Sequence, residues 1–88
     1  MTTTYRVIGF GHYEHGFFNH PAWRSNLESA IVAFSHFYQD PEMEGAVLIE
    51  VNHEDWKVIR EFGTEGYSVE YGVLGNFKVI KTPTLVML

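Results

Sequence analysis

The chain has 88 residues, a net charge of -5 and no cysteine. That length makes one domain with no room for a second core, and the lack of thiols excludes disulfide scaffolds, cysteine nucleophiles and thiolate metal sites. A hydrophobic share of 45% argues against disorder, no stretch has the length of a transmembrane helix, and MTTTYRV lacks the basic and apolar regions of a signal peptide, so the expectation is a cytoplasmic protein without a membrane partner.

Tyr5 to Phe10 (YRVIGF) reads as a first strand from its β-branched and aromatic content, weakened toward its end by Gly9. Gly9 to Trp23 reads as a connecting loop. It holds five aromatic rings (Phe10, Tyr13, Phe17, Phe18 and Trp23), three histidines and one charged side chain, Glu14. Loops usually run over the surface and are polar. One this rich in rings is expected either to fold back over the core or to present a contact surface.

A helix is expected over about residues 26 to 39. Ser25 and Glu28 have the S-x-x-E spacing of a capping box. Leu27, Ala30, Ile31, Phe34, Phe37 and Tyr38 follow at helical spacing, so Leu27, Ile31, Phe34 and Tyr38 are expected to bury against a sheet. Asp40-Pro41 stops the helix, because the residue before proline is pushed out of the α region. The outer face carries Glu28, Ser29, Val32, His36 and Gln39 and is sparsely charged for a solvent-facing surface.

Ala46 to Val51 reads as a second strand, with Val47, Ile49 and Val51 on one face. Trp56 to Phe62 reads as a third, with Trp56, Val58 and Phe62 aligned, and the polar Asn52 to Asp55 segment joins the two as a hairpin. After a turn at Gly63 to Gly66, Tyr67 to Leu74 alternates as a fourth strand. Gly75-Asn76 reads as a two-residue type II′ tip, and Phe77 to Lys81 as a last strand. Thr82-Pro83-Thr84 breaks the pattern before the apolar residues Leu85 to Leu88. The expected order is β-α-β-β-β-β over residues 1-88: a single small α+β domain, one helix packed on a mainly antiparallel sheet.

Charge is unevenly placed. No Lys or Arg occurs between Arg24 and Lys57, a window holding Glu28, Asp40, Glu42, Glu44, Glu50, Glu54 and Asp55. A chain that grips phosphates concentrates cations on one face, so direct nucleic-acid binding is not expected. Gly9-Phe10-Gly11 lacks the third glycine and the immediate helix of a dinucleotide fingerprint. His12, His15 and His20 are a possible ligand set for zinc or another transition ion. Their H-x2-H-x4-H spacing has no helix or hairpin frame to preset it, so no cofactor is expected. No nucleophile with a base and no pair of acids stands out, and the chain is read as not an enzyme.

The expectation is a non-enzymatic interaction module that binds another protein, one with a basic surface. Contacts are assigned to Phe10, Tyr13, Phe17, Phe18 and Trp23 as anchors, with Asp40, Glu42 and Glu44 as a charged rim. In size, lack of cysteine and aromatic richness the chain resembles the short accessory proteins of phages and mobile elements, which implies a partner belonging to a host. Two alternatives stand beside this reading. One is a metal-assisted hydrolase or metal-binding domain using His12, His15 and His20. The other is a homodimeric structural protein.

Overall fold

A computed structural model describes residues 3-72 and 75-82. In it the ring-rich segment is a strand pair, not a loop. Strand β1 (Thr3–Tyr13) continues through Gly9 and Gly11, turns over Glu14-His15 and returns as β2 (Gly16–Arg24). The register pairs Tyr13 with Gly16, Phe10 with Asn19 and Arg6 with Trp23. The two mid-strand glycines reflect close packing. A Cβ at Gly9 would lie 2.8 Å from the Phe37 ring, and one at Gly11 would lie 2.7 Å from the Glu42 carbonyl oxygen. The backbone of β1 is thus where the following segment seats, and side chains there would hold it off.

Helix α1 (Leu27–Gln39) follows. Its cap is Asn26, one residue later than the capping box implies: Asn26 is extended, and its Oδ1 accepts the Ser29 N–H at 2.8 Å. Asp40, also extended, ends the helix before Pro41. The buried stripe centres on Ala30 and Ala33, with Ile31, Phe34 and Phe37 packed around it. Leu27 and Tyr38, expected in the core, are 41% and 68% exposed. Small residues at the centre let the helix axis approach the sheet, which rotates Leu27 and Tyr38 to its margins.

The remaining strands are β3 (Gly45–Asn52), β4 (Asp55–Phe62), β5 (Tyr67–Tyr71) and β6 (Phe77–Lys81). The order along the chain is β-β-α-β-β-β-β, one strand more than the sequence reading, and the class is α+β as expected. A four-stranded antiparallel sheet runs β2-β1-β3-β4, and β5-β6 form a separate two-stranded sheet. Tyr5, Val7 and Leu48 face the helix, while Ile8, Phe10, Val47 and Ile49 face Phe77 and Val79 of β6. The molecule therefore stacks as helix, four-stranded sheet and two-stranded sheet. Both faces of β1 and β3 are covered, which explains the unbroken apolar run Ala46 to Ile49.

Two expectations fail at single residues. The β3–β4 register shifts between Leu48 and Ile49: Leu48 pairs with Arg60 and Ile49 with Val58, so Ile59 is an extra residue in β4. The bulge reverses the alternation. Trp56 lies against Phe77 on one face, whereas Phe62 meets Phe34 and Tyr38 on the other. In the last hairpin Gly75 does have positive φ, +75°, but Tyr71 pairs with Phe77 and the Gly75 N–H donates to the Gly72 carbonyl. The Gly72 N–H also donates to the Asn76 carbonyl at 2.6 Å, so Gly75-Asn76 is not a two-residue tip; residues 73-74, with Leu74 of the expected fourth strand, and Leu85 to Leu88 lie outside the described part. Among the described residues no helix is long and apolar enough to cross a membrane.

Candidate functional site

The extension of β1 to Tyr13 carries His12 and Tyr13 to the end of the molecule where the chain leaves α1. Residues 40-44 fold against this tip. The Asp40 carboxylate accepts the Glu42 N–H at 2.9 Å, and the Met43 N–H donates to the Asp40 carbonyl at 3.1 Å. The Glu44 N–H then donates to the Phe10 carbonyl at 2.8 Å, extending the pairing of β3 with β1. These bonds fix the backbone of the acidic segment beside the hairpin, so its carboxylates do not depend on side-chain reach alone.

Side chains complete the junction. The rings of Tyr13 and Phe18 stack with centroids 4.2 Å apart and planes 12° apart. The Tyr13 hydroxyl donates to Glu42 Oε2 at 3.4 Å, and His12 Nδ1 hydrogen-bonds Glu44 Oε2 at 2.5 Å. The negative charge of Glu42 raises the Tyr13 phenol above its ordinary value, since ionising the ring would set two anions side by side. Tyr13 is 53% exposed, Phe18 half-buried, and Glu42 and Glu44 exposed. The result is a stacked pair of rings edged by the Glu42 carboxylate, with Glu44 held by His12 on the opposite face of the hairpin, and no Lys or Arg in the adjoining segments.

The other anchors assigned from sequence go elsewhere. Phe10 is fully buried between the two sheets and is a core residue, not a contact. Phe17, next to Phe18 in the chain, points to the opposite face of β2, where it stacks on Tyr67 at 5.5 Å and meets Phe10 at 5.9 Å. Alternation along a strand makes this unavoidable. Trp23 is 59% exposed but lies about 17 Å from Phe18 along β2. There the Arg6 guanidinium stacks 3.8 Å from its ring centroid. Burial holds Arg6 below its ordinary value, opposed by the Tyr71 hydroxyl.

The histidines are dispersed by the same alternation. His12 shares its face with Phe17, whereas His20 lies edge-on to Phe37 of the helix on the opposite face, and His15 sits in the exposed turn. Among the described residues no three His, Asp or Glu side chains are grouped to hold a metal ion. The ligand set His12, His15 and His20 is therefore not assembled.

Sequence reasoning passed over two residues that hold the site in place. Gly11 leaves room for the Glu42 carbonyl. The Gly9-x-Gly11 spacing, two residues apart as on one strand face, was its signal. Asn19 binds across layers: its Oδ1 accepts the Val79 N–H at 2.7 Å and its Nδ2 donates to the Val79 carbonyl at 3.0 Å. No local pattern marks it. Compared with protein-family models, curated proteins and solved structures, the chain matches none.

Proposed function

We propose that this chain is a non-enzymatic interaction module of the cytoplasm that docks a basic surface of another protein. The observation that carries the reading is the seating of residues 40-44 on the β1–β2 tip, which sets Glu42 beside the Tyr13–Phe18 stack and Glu44 beside His12 on the other face of the same tip. Stacked rings offer a π face to a guanidinium or ammonium group, and carboxylates at the ring edge supply charge-assisted hydrogen bonds to the same cation. The anchor set is Tyr13 and Phe18, with Asp40, Glu42 and Glu44 as the rim. An accessory protein that binds and modulates a host protein fits this size and chemistry, and the cysteine-free composition fits a reducing compartment.

Cross-linking through a photoreactive residue at Phe18 in the source cell identifies the partner, and binding kinetics then test the assignment. Tyr13→Ala with Phe18→Ala is expected to speed dissociation, whereas Glu42→Lys with Glu44→Lys is expected to slow association and to flatten its salt dependence. Equal kinetics for the parent and both variants would remove the tip from the interface.

A further inference from the structure

The two ends of the β1–β2 hairpin carry opposite charge. Glu42 and Glu44 stand at the turn. The open end of the same two strands carries Arg6 and Arg24. The Arg6 guanidinium stacks on Trp23, and Arg24 Nη1 donates to the Trp23 carbonyl at 2.7 Å. Neither arginine has a carboxylate within salt-bridge distance among the described residues, although the chain holds 11 acidic side chains. Glu50, which pairs with Tyr5 on the strand beyond it, is taken by Lys57 at 3.8 Å. A guanidinium has several N–H donors, so one bond to a carbonyl leaves Arg24 most of its capacity. With Trp23 exposed between them, the two arginines form a surface of the residue types that anchor protein contacts.

Strand parity matches this surface to the tip. Arg24 lies six residues from Phe18 along β2 and shares its face, the face of the Tyr13–Phe18 stack and Glu42. Arg6 lies six residues from His12 along β1 and shares the face on which His12 holds Glu44. Six residues span about 20 Å of strand, so within one chain the arginines do not reach the tip. In a second copy displaced along the hairpin axis they do, and both faces stay in register: Arg24 meets the stacked rings and Glu42, while Arg6 meets Glu44. We infer that the chain associates head to tail with its own copies, the arginine end of one hairpin docking on the acidic tip of the next. This rests on the reading of the tip as a cation site, and it names a second copy as a basic surface that the tip meets. The contact joins two different surfaces, and a simple displacement does not close on itself, so the assembly is open-ended.

Analytical ultracentrifugation of the full chain tests the inference with two variants. Tyr13→Ala with Phe18→Ala blocks the tip and keeps the arginine end, whereas Arg24→Glu blocks the arginine end and keeps the tip. The mean mass of the parent is expected to rise between about 10 µM and about 1 mM, the range of a small transient contact. Each variant alone is expected to stay monomeric, and their equimolar mixture to give a 1:1 dimer that grows no further. A parent that stays monomeric up to about 1 mM would overturn the inference, and so would association that survives in either variant or a mixture that forms no dimer. Titration of the same samples with an arginine-glycine peptide separates the two readings. Peptide binding at Tyr13 and Phe18 in a parent that stays monomeric would overturn self-association and leave the tip a cation site for a basic segment of another protein. Circular dichroism of both variants confirms that the comparison is made on folded protein.

Discussion

Asn19→Ala removes a side chain that bridges the main sheet and the β5-β6 sheet through backbone, the one that does so among the described residues. Val79 is buried, and its N–H and carbonyl both point at Asn19, at 2.7 and 3.0 Å. Each hydrogen bond contributes about 0.5-1.5 kcal/mol net, and leaving a buried backbone group unpaired costs about 1-3 kcal/mol. The substitution opens space at a half-buried position, so one of the two groups regains a water. The expected loss is about 2-3 kcal/mol, which for a domain of this size lowers Tm by roughly 10-20 °C. Urea denaturation measures the free energy, and hydrogen exchange at the Val79 amide locates it. Asn19→Asp keeps the acceptor but turns a carboxylate toward the Val79 carbonyl, so it is expected to be no milder. A loss below about 0.5 kcal/mol, the range of a neutral surface change, with Val79 protection unchanged, would refute the bridging role.

Gly11→Ala sets a methyl group 2.7 Å from the Glu42 carbonyl. It is expected to cost about 1-3 kcal/mol by overpacking and to displace residues 40-44, seen as amide shift changes at Glu42 and Glu44. Spectrophotometric titration is expected to find the Tyr13 phenol ionising above the ordinary tyrosine value. Glu42→Gln removes the neighbouring charge and brings the transition down in pH, whereas a transition unmoved by Glu42→Gln would break the Tyr13–Glu42 pairing. Phe34→Ala is expected to cost about 2 kcal/mol, roughly half the value of a fully buried phenylalanine, because Phe34 is half-buried against Phe62. Tyr38→Ala, at a side chain mostly in solvent, is expected to cost less than about 0.5 kcal/mol in the same thermal melts.

Much of the fold is legible in local chemistry. The apolar periodicity and Asp40-Pro41 place α1 within a residue of its observed ends, and β3 and its polar turn follow from alternation and composition. The β1–β2 hairpin escapes the same approach for physical reasons. Its glycines serve close packing from another element, which a local reading takes for a strand end. Its turn, Glu14-His15 before Gly16, carries none of the usual two-residue signals. The bulge at Ile59 adds a residue with no compositional mark, and that single insertion moves Phe62 to the other face. The candidate site was half legible. Residue type points to Tyr13, Phe18, Asp40, Glu42 and Glu44, but it groups Phe10, Phe17 and Trp23 with them because a loop has no faces. Once the segment is a strand, parity separates them.

The proposed role of the tip is to bind cations as a built surface. Chemical-shift mapping of the full chain with an arginine-glycine repeat peptide tests this most directly, with a glutamate-glycine peptide of equal length as control. The predicted result is a saturable shift at Tyr13, Phe18, Glu42 and Glu44 with the arginine peptide alone, lost in Tyr13→Ala with Phe18→Ala although Glu42 and Glu44 remain. Shifts spread over all exposed carboxylates, including Glu54 and Asp55, or retained in the ring-deleted variant, would show non-specific charge attraction and no cation site at the tip.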